Sequence, residues 1–398
     1  MAVSLLAREV SDLCLGKPAL RSLSISATVG DALSALKRVG ENYVSVWNCD
    51  HHRHLSVADM IDARSDECRC VGKVCMVDII CFLCKDENLS NPGTALQAPV
   101  SILFTRAPGL VRHLEPNASL METIDLILEG AQNLVIPLEM GIRNSRKKLL
   151  QKTLSNSTLH DNRQYCWLTQ GDIIRYLLNS IGLFCPTPIN PINSLNIIDS
   201  HNILAVHYDD PASLALPFIA RSLEMQTSVA IVDTEGKLIG EISPFTLNSC
   251  DEDGAAAIAT LSAGELMAYI DCGGPPEDLI QLVKERLQER NLEQALELME
   301  EDSGISSGAS FSSSYSSSSD EEFRVGRSGR SAGYSARVVR RSEAIVCYPW
   351  SSLVAVMIQA LAHRVSYVWV VQVDGTLAGI VTFSGMMKVF RERLRTVA

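Results

Sequence analysis

The sequence predicts an α/β protein assembled from four copies of one helix, strand, strand, helix unit. Three observations predict it. A small capping residue followed by an aliphatic opens an apolar-periodic helix at Thr28-Val29, Ser119-Leu120, Ser213-Leu214 and Ser352-Leu353. Fourteen residues beyond each cap, at Asn42, Asn133, Thr227 and Ser366, a β-type run begins: YVSVW, LVIPL, SVAIVD and YVWVVQV. A second strand then runs straight into another helix, as GKVCMVDIICFL, CWLTQGDIIRYLL, GEISPFTLN and GIVTFSGMMKVF. Self-similarity of this kind marks a chain of stacked structural units.

The elements follow in order. A short strand precedes each helix, near Val111 to Leu114, Ala205 to Tyr208 and Ile345 to Cys347. In copies three and four the hairpin turns are tight and contain Glu235-Gly236 and Asp374-Gly375. Copies one and two carry long hairpin insertions. The first holds Cys49, His51, His52, His54, Cys68 and Cys70, followed by Cys75, Cys81 and Cys84. Thiols and imidazoles at this density suggest zinc, but the paired Cys-x-x-Cys knuckles of a structural site are missing, and Cys81 to Cys84 falls inside a helix. No metal is therefore predicted. The second insertion, residues 141–163, holds Arg143, Arg146, Lys147, Lys148, Lys152 and Arg163 and reads as a solvated loop.

Between copies three and four, residues 275–301 read as one amphipathic helix started by Pro275 and Pro276, with Leu279, Val283, Leu287, Ala295 and Leu298 on one side. Packing on its own module is the expected use of that stripe. Residues 302–341 follow, rich first in serine and then in arginine, and are expected to be disordered and open to phosphorylation.

Composition narrows the function. The net charge of −11 (35 basic against 46 acidic residues) argues against sequence-independent binding to nucleic acid. Twelve cysteines in 398 residues are too sparse for a disulfide-stapled secreted scaffold. The N-terminal segment lacks the pattern of a signal or transit peptide, so a reducing cytoplasmic or nuclear compartment is expected. The uncharged stretch from Ile345 to Ala362 contains Pro349, Ser351, Ser352 and Gln359, which fits a strand, a cap and a buried helix better than a bilayer span. No P-loop, GxSxG or HExxH motif is present, so no catalytic residue is predicted and the protein is read as a non-enzyme.

The unit, with its Gly-x-[Ile/Val]-[Thr/Ser]-x-x-Asp ending, resembles the cystathionine-β-synthase (CBS) domain. SDLCLGKP, SVWNC from Ser45 to Cys49 and the DIIRYLL helix look like the stand-alone plant CBS-domain proteins of the X group. The resemblance implies two tandem Bateman-type modules. The first spans residues 1–185, with copies at about 15–90 and 99–182. The second spans 186–398, with copies at about 196–272 and 342–398, and Pro186, Pro188 and Pro191 mark the connector between the modules. It further implies a sensor for an adenosine-containing ligand (AMP, ADP, ATP or S-adenosylmethionine) that modulates a partner protein, of kinase or thioredoxin type by family analogy, and that pairs into a homodimer.

Carried over by residue, Thr169 and Asp172 fill the signature in copy two, with Arg175 one turn on to meet phosphate. An acid on the first helical turn can accept from both ribose hydroxyls, and the hydroxyl and free amides of a helix N-terminus suit phosphate. Copy one keeps Asp78 but has Cys75 in the hydroxyl position. Copy three has Ser243 and Thr246, and copy four Thr382 and Gly385, so neither offers the acid, although Lys388 matches Arg175. Val135 and Pro137 are the expected contacts for adenine. The first pair is thus expected to bind ligand and the second to be mainly structural. Two alternatives remain: an interaction scaffold without ligand binding, and a thiol or metal protein built on the cysteine-rich hairpin.

Overall fold

The structure, a computed structural model, describes residues 8–39, 42–49, 68–104, 109–138, 160, 163–248, 250–271, 275–301 and 343–397. His51, His52, His54, the basic residues between 143 and 152, and the serine- and arginine-rich segment lie outside them.

Among the described residues four three-stranded sheets form, each with its strands in chain order: β1–β3, β4–β6, β7–β9 and β10–β12. In copy one β1 is Ser22–Ser24, β2 Tyr43–Trp47 and β3 Cys70–Cys75; in copy two β4 is Val111–His113, β5 Asn133–Leu138 and β6 Gln164–Thr169. In copy three β7 is Ala205–His207, β8 Val229–Val232 and β9 Leu238–Ile242; in copy four β10 is Val346–Cys347, β11 Tyr367–Val371 and β12 Leu377–Thr382. The first strand of each sheet pairs parallel with the second, and the second antiparallel with the third. A helix crosses between the parallel strands, and a hairpin joins the antiparallel ones.

The register corrects one detail of the repeat. Tyr43 lies opposite Cys75 and Tyr367 opposite Thr382, each one residue beyond the position expected from a spacing of fourteen. Asn133 lies opposite Thr169, so copy two has one residue fewer between helix cap and strand. Because side chains alternate along a strand, this single residue decides which face each one occupies.

Helix packing joins the copies crosswise. The helix Met76–Leu83 of copy one packs on Leu216–Met225 and Asp253–Thr260 of copy three, and the three share one apolar core with Ile79, Ile80, Ile219 and Ile258. Copy two meets copy four through a second core, where Leu120–Leu128 and Gln170–Asn179 contact Phe383–Val397 and Leu353–Ala362. The sheets of copies one and two face each other over a small apolar cluster that includes Trp47, Val135, Tyr165 and Trp167. The turns of copies three and four pair through Leu238 N–H to the Gly375 carbonyl and Leu377 N–H to that of Gly236.

Several segments differ from their sequence expectation. The N-terminal helix Val10–Leu13 packs on copy two, donating from Val10 N–H to the Ala118 carbonyl, because Val10 and Cys14 complete that core. Ser213 does not cap its helix: a 3-10 turn, Ala212–Ala215, runs into Leu216–Met225. The 186–192 segment is no free spacer, since Ile192 N–H donates to the Ser351 carbonyl and Leu353 N–H to that of Asn190. The amphipathic stretch breaks into Glu277–Glu289 and Glu293–Glu301 around Asn291, whose φ of 56° is left-handed. Both helices cover the core shared by copies three and one, with Val283, Leu287 and Ala295 fully buried.

Candidate functional site

Copy two ends its hairpin at Thr169, whose extended backbone (φ −107°, ψ 163°) caps the helix Gln170–Asn179. Asp172 sits at the third helical position and closes a capping box. Its Oδ2 accepts from Thr169 N–H at 2.8 Å and Oγ1 at 2.7 Å, while Thr169 Oγ1 accepts from Asp172 N–H at 3.3 Å. The same Oδ2 accepts from Lys17 Nζ at 2.6 Å. Oδ1 has, among the described residues, only a long 3.8 Å contact with the largely exposed Arg175 guanidinium. One carboxylate oxygen is therefore committed to the protein and the other is left toward a cleft.

Lys17 arrives from a distant part of the chain. After the helix Val10–Leu13, Gly16 adopts φ 78°, a conformation that costs glycine little, and the turn delivers Lys17 to copy two. Leu20 N–H then donates to the Tyr165 carbonyl at 2.7 Å, pinning the segment along the sheet. A cleft of about 440 Å³ opens between this segment, the start of β2 and the end of β6. Lys17 and Arg21 stand on one side, Asn42, Tyr43 and Ser45 on another, and Trp167, Thr169 and Asp172 on the third. Tyr43 and Trp167 meet edge to face, their ring centroids 6.3 Å apart at 77°. Cations, a carboxylate, hydroxyls and an aromatic wall thus converge in a volume typical of small-ligand sites.

The other expected site residues fall elsewhere. Asp78 is 6% exposed and does not line the cleft. It accepts from Cys75 N–H at 2.8 Å and from the Cys75 thiol at 3.1 Å, so the thiol replaces the hydroxyl in a capping box. Asn248 of copy three takes the neighbouring Met76 amide at 3.0 Å, the kind of donor a phosphate at this helix start would use. Val135 and Pro137 are buried and do not line this cleft; Val135 clusters with Trp47, Tyr165 and Trp167, and Tyr43 and Trp167 form the cleft's aromatic wall. Sequence reasoning missed Lys17, Arg21, Tyr43 and Trp167. The aromatic residues were legible as strand residues; the lysine was not, because the contact spans 155 positions.

In copy four Thr382 Oγ1 accepts from Gly385 N–H at 3.2 Å, and Lys388 is exposed one turn on. A Cβ at Gly385 would lie 3.5 Å from the Ile197 carbonyl oxygen. The space between the sheets of copies three and four is filled by Glu241, 1% exposed. Tyr367 Oη donates to its Oε1 at 2.9 Å and Trp369 Nε1 to its Oε2 at 2.7 Å.

No family model matches the chain. It is 47% identical over 404 residues to the CBS domain-containing protein CBSX5 of Arabidopsis thaliana, covering 99% of each sequence. It is 24% identical to the SNF1-related protein kinase regulatory subunit gamma-like PV42b of the same plant, over 97% of this chain and 95% of that one. Among solved structures it resembles protein MJ1225 of Methanocaldococcus jannaschii, titled a proposed archaeal homologue of γ-AMPK. That match has a TM-score of 0.53 and 14% identity, and covers 96% of this chain and all of the other. Four sheet-and-helix repeats joined crosswise around a polar cleft define a protein of the CBS-domain class. The chain belongs to the CBS domain-containing proteins and is similar to the plant CBSX members. Among the described residues no helix is long and apolar enough to cross a membrane.

Proposed function

We propose that this chain is a non-catalytic regulator that binds an adenosine-containing ligand (AMP, ADP, ATP or S-adenosylmethionine) in the first CBS pair and thereby changes its affinity for a partner protein. The observation that carries this reading is the Asp172 cleft. Asp172 Oδ1 suits a ribose diol, Tyr43 or Trp167 offers a face for the base, and Lys17, Arg21 and the outlying Arg175 suit phosphate or another anionic group. Thr169 holds the acid in place. Asp78, Val135 and Pro137 support the cleft from outside, and Thr382 and Lys388 mark a second, vestigial position. The division into modules at 1–185 and 186–398 is part of this reading.

A ligand can act on a partner only if it binds two states unequally. The helix that carries Asp172 offers such a lever, because its far side packs on both long helices of copy four. A kinase of the kind named for the gamma-like relative is the partner class to test first, with a thioredoxin-type partner and a homodimer as the other two. The cytosol or nucleus is the compartment in which such a ligand would be met. A second reading, a scaffold without ligand, is favoured by the side-chain filling of the second pair around Glu241.

Isothermal titration of the full chain with AMP, ADP, ATP and S-adenosylmethionine separates the two readings. Loss of charge-assisted hydrogen bonds in Asp172→Ala, worth about 1.5–3 kcal/mol, lowers affinity about tenfold to a hundredfold. Trp167→Leu, which leaves the capping box intact, weakens binding as well. No heat at millimolar ligand, or equal affinity in wild type and both variants, overturns the sensor and leaves the scaffold.

A further inference from the structure

Outside the cleft, the structure gathers two thiols and an imidazole that the sequence keeps far apart. Asn48 and Arg69 pair across the copy-one hairpin, Asn48 N–H donating to the Arg69 carbonyl at 3.0 Å and Arg69 N–H to Asn48 Oδ1 at 2.7 Å. One residue further, Cys49 and Cys68 follow on the two arms. His160 enters from copy two, held by reciprocal backbone hydrogen bonds with Arg163 just before β6. Its Nδ1 lies 3.1 Å from Cys49 Sγ, and the ligand atoms of Cys49, Cys68 and His160 all lie within 4.8 Å of one another.

The imidazole is oriented by its surroundings. Nε2 is 2.8 Å from Ser22 Oγ, and the ring stacks on Trp47 with centroids 3.6 Å apart and planes within 6°. A histidine whose second nitrogen is tied by a hydrogen bond presents the first as a fixed ligand, the usual arrangement around protein-bound zinc. His160 is 3% exposed and Cys68 8%, whereas Cys49 is half-buried. The neighbouring groups are otherwise engaged: His113 Nε2 accepts from Cys70 N–H at 3.0 Å, and the Cys70 thiol donates to the Gly72 carbonyl at 3.3 Å.

We propose that Cys49, Cys68 and His160 form a zinc site that clamps the hairpin of copy one to the base of the copy-two hairpin. Thiolate and neutral imidazole are the ligands zinc favours, with Zn–S near ~2.3 Å and Zn–N near ~2.0 Å, which small side-chain movements of this cluster supply. On binding, both thiols release their protons to solvent. Two thiolates then balance the dication, so the buried complex carries no net charge. Nδ1 coordinates, Nε2–H donates to Ser22, and water takes the fourth position. The clamp closes a span of 111 residues between Cys49 and His160, and it works whether or not the neighbouring cleft holds a nucleotide.

The test uses the full chain produced without a polyhistidine tag, stripped with chelator under reducing conditions and titrated with cobalt and then with zinc. The expected result is one cobalt per chain, with thiolate-to-cobalt charge-transfer absorption and the visible bands of tetrahedral cobalt, bleached by equimolar zinc. Cys68→Ser and His160→Gln each abolish these bands, while Cys185→Ser, at an exposed position far in sequence, keeps them. Cys49→Ser, at the half-buried ligand, is the variant least exposed to a folding defect, and circular dichroism checks that each variant is folded. Folded wild-type protein without cobalt bands overturns the site. So do bands that persist in Cys49→Ser, Cys68→Ser and His160→Gln, or a Cys49–Cys68 disulfide that survives reductant and blocks uptake.

Discussion

Between the sheets of copies one and two the chain leaves a cleft of about 440 Å³ beside Asp172, whereas between the sheets of copies three and four the space is filled by Glu241, Tyr367 and Trp369. The two pairs share one frame. Glu241 precedes the cap Ser243 by two residues, just as Trp167 precedes Thr169, and Tyr367 lies opposite its cap as Tyr43 does. In the first pair these positions wall a cleft. In the second they turn inward and satisfy one another. The difference teaches that the repeat specifies a scaffold, while a few side chains decide whether the space between two sheets is left open or closed by the protein.

The largest expected effect tests the closed half. Glu241→Ala leaves the Tyr367 hydroxyl and the Trp369 indole N–H buried without their acceptor. Each stranded donor costs about 1–3 kcal/mol, so stability falls by about 2–6 kcal/mol, read as a lower denaturant midpoint. Asp172→Ala in the open cleft removes a helix cap partner in a solvated setting and costs about 1 kcal/mol. Equal losses in the two variants would break the comparison, since the carboxyl of the second pair would then be no more structural than that of the first.

Much of the frame was legible in the sequence, because helix caps, β-branched runs and tight turns are local signals. The four units could be read this way, and the Thr169–Asp172 pair came from the family signature that the units resemble. Face and register were less legible. The spacing of fourteen aligns Val135 with Val44, whereas the register aligns it with Ser45, so Val135 lies among aromatic rings on the face shared by the sheets of copies one and two. Ser213 looked like a cap because serine commonly is one, but Pro211 and the 3-10 turn that follows displaced the helix start. Contacts across long separations left no local trace: Lys17 with Asp172, Asn248 with Met76 and His160 with Cys49 all depend on tertiary packing.

A smaller effect tests how the open pair is tied to the closed one. Arg391 of copy four grips Asp125 of copy two, with Nη2 to Oδ2 at 2.7 Å. The hydrogen bond from this guanidinium holds the Asp125 carboxyl below the usual aspartate range. A folded-state pKa below the unfolded value contributes stability above the unfolded value, near ~3.9, and that contribution is lost as pH falls through the folded pKa. Asp125 is 41% exposed, so solvent and salt screen the pair and the gain is small. The stability difference between wild type and Asp125→Asn should be constant at neutral pH and shrink below about pH 4. A difference that grows on acidification would show that the pair does not anchor the two cores.

The smallest expected effect asks whether the acid or the room decides ligand binding in the second pair. Gly385 occupies the place of Asp172, one turn before Lys388, and its amide already donates to Thr382. Gly385→Asp would restore the capping box, and an added Cβ meets the Ile197 carbonyl at an ordinary 3.5 Å, so the helix should gain about 0.3–1 kcal/mol. Binding should not follow. Asp199 N–H is bonded to the Ile380 carbonyl at 2.9 Å, and a Cβ at Gly379 would lie 2.5 Å from Ile198, so residues 197–199 run against β12 and leave no gap there. Titration of Gly385→Asp with AMP and ATP should therefore match wild type in stoichiometry. A second nucleotide bound per chain would show that the missing carboxylate, and not the filled space, keeps the second pair silent.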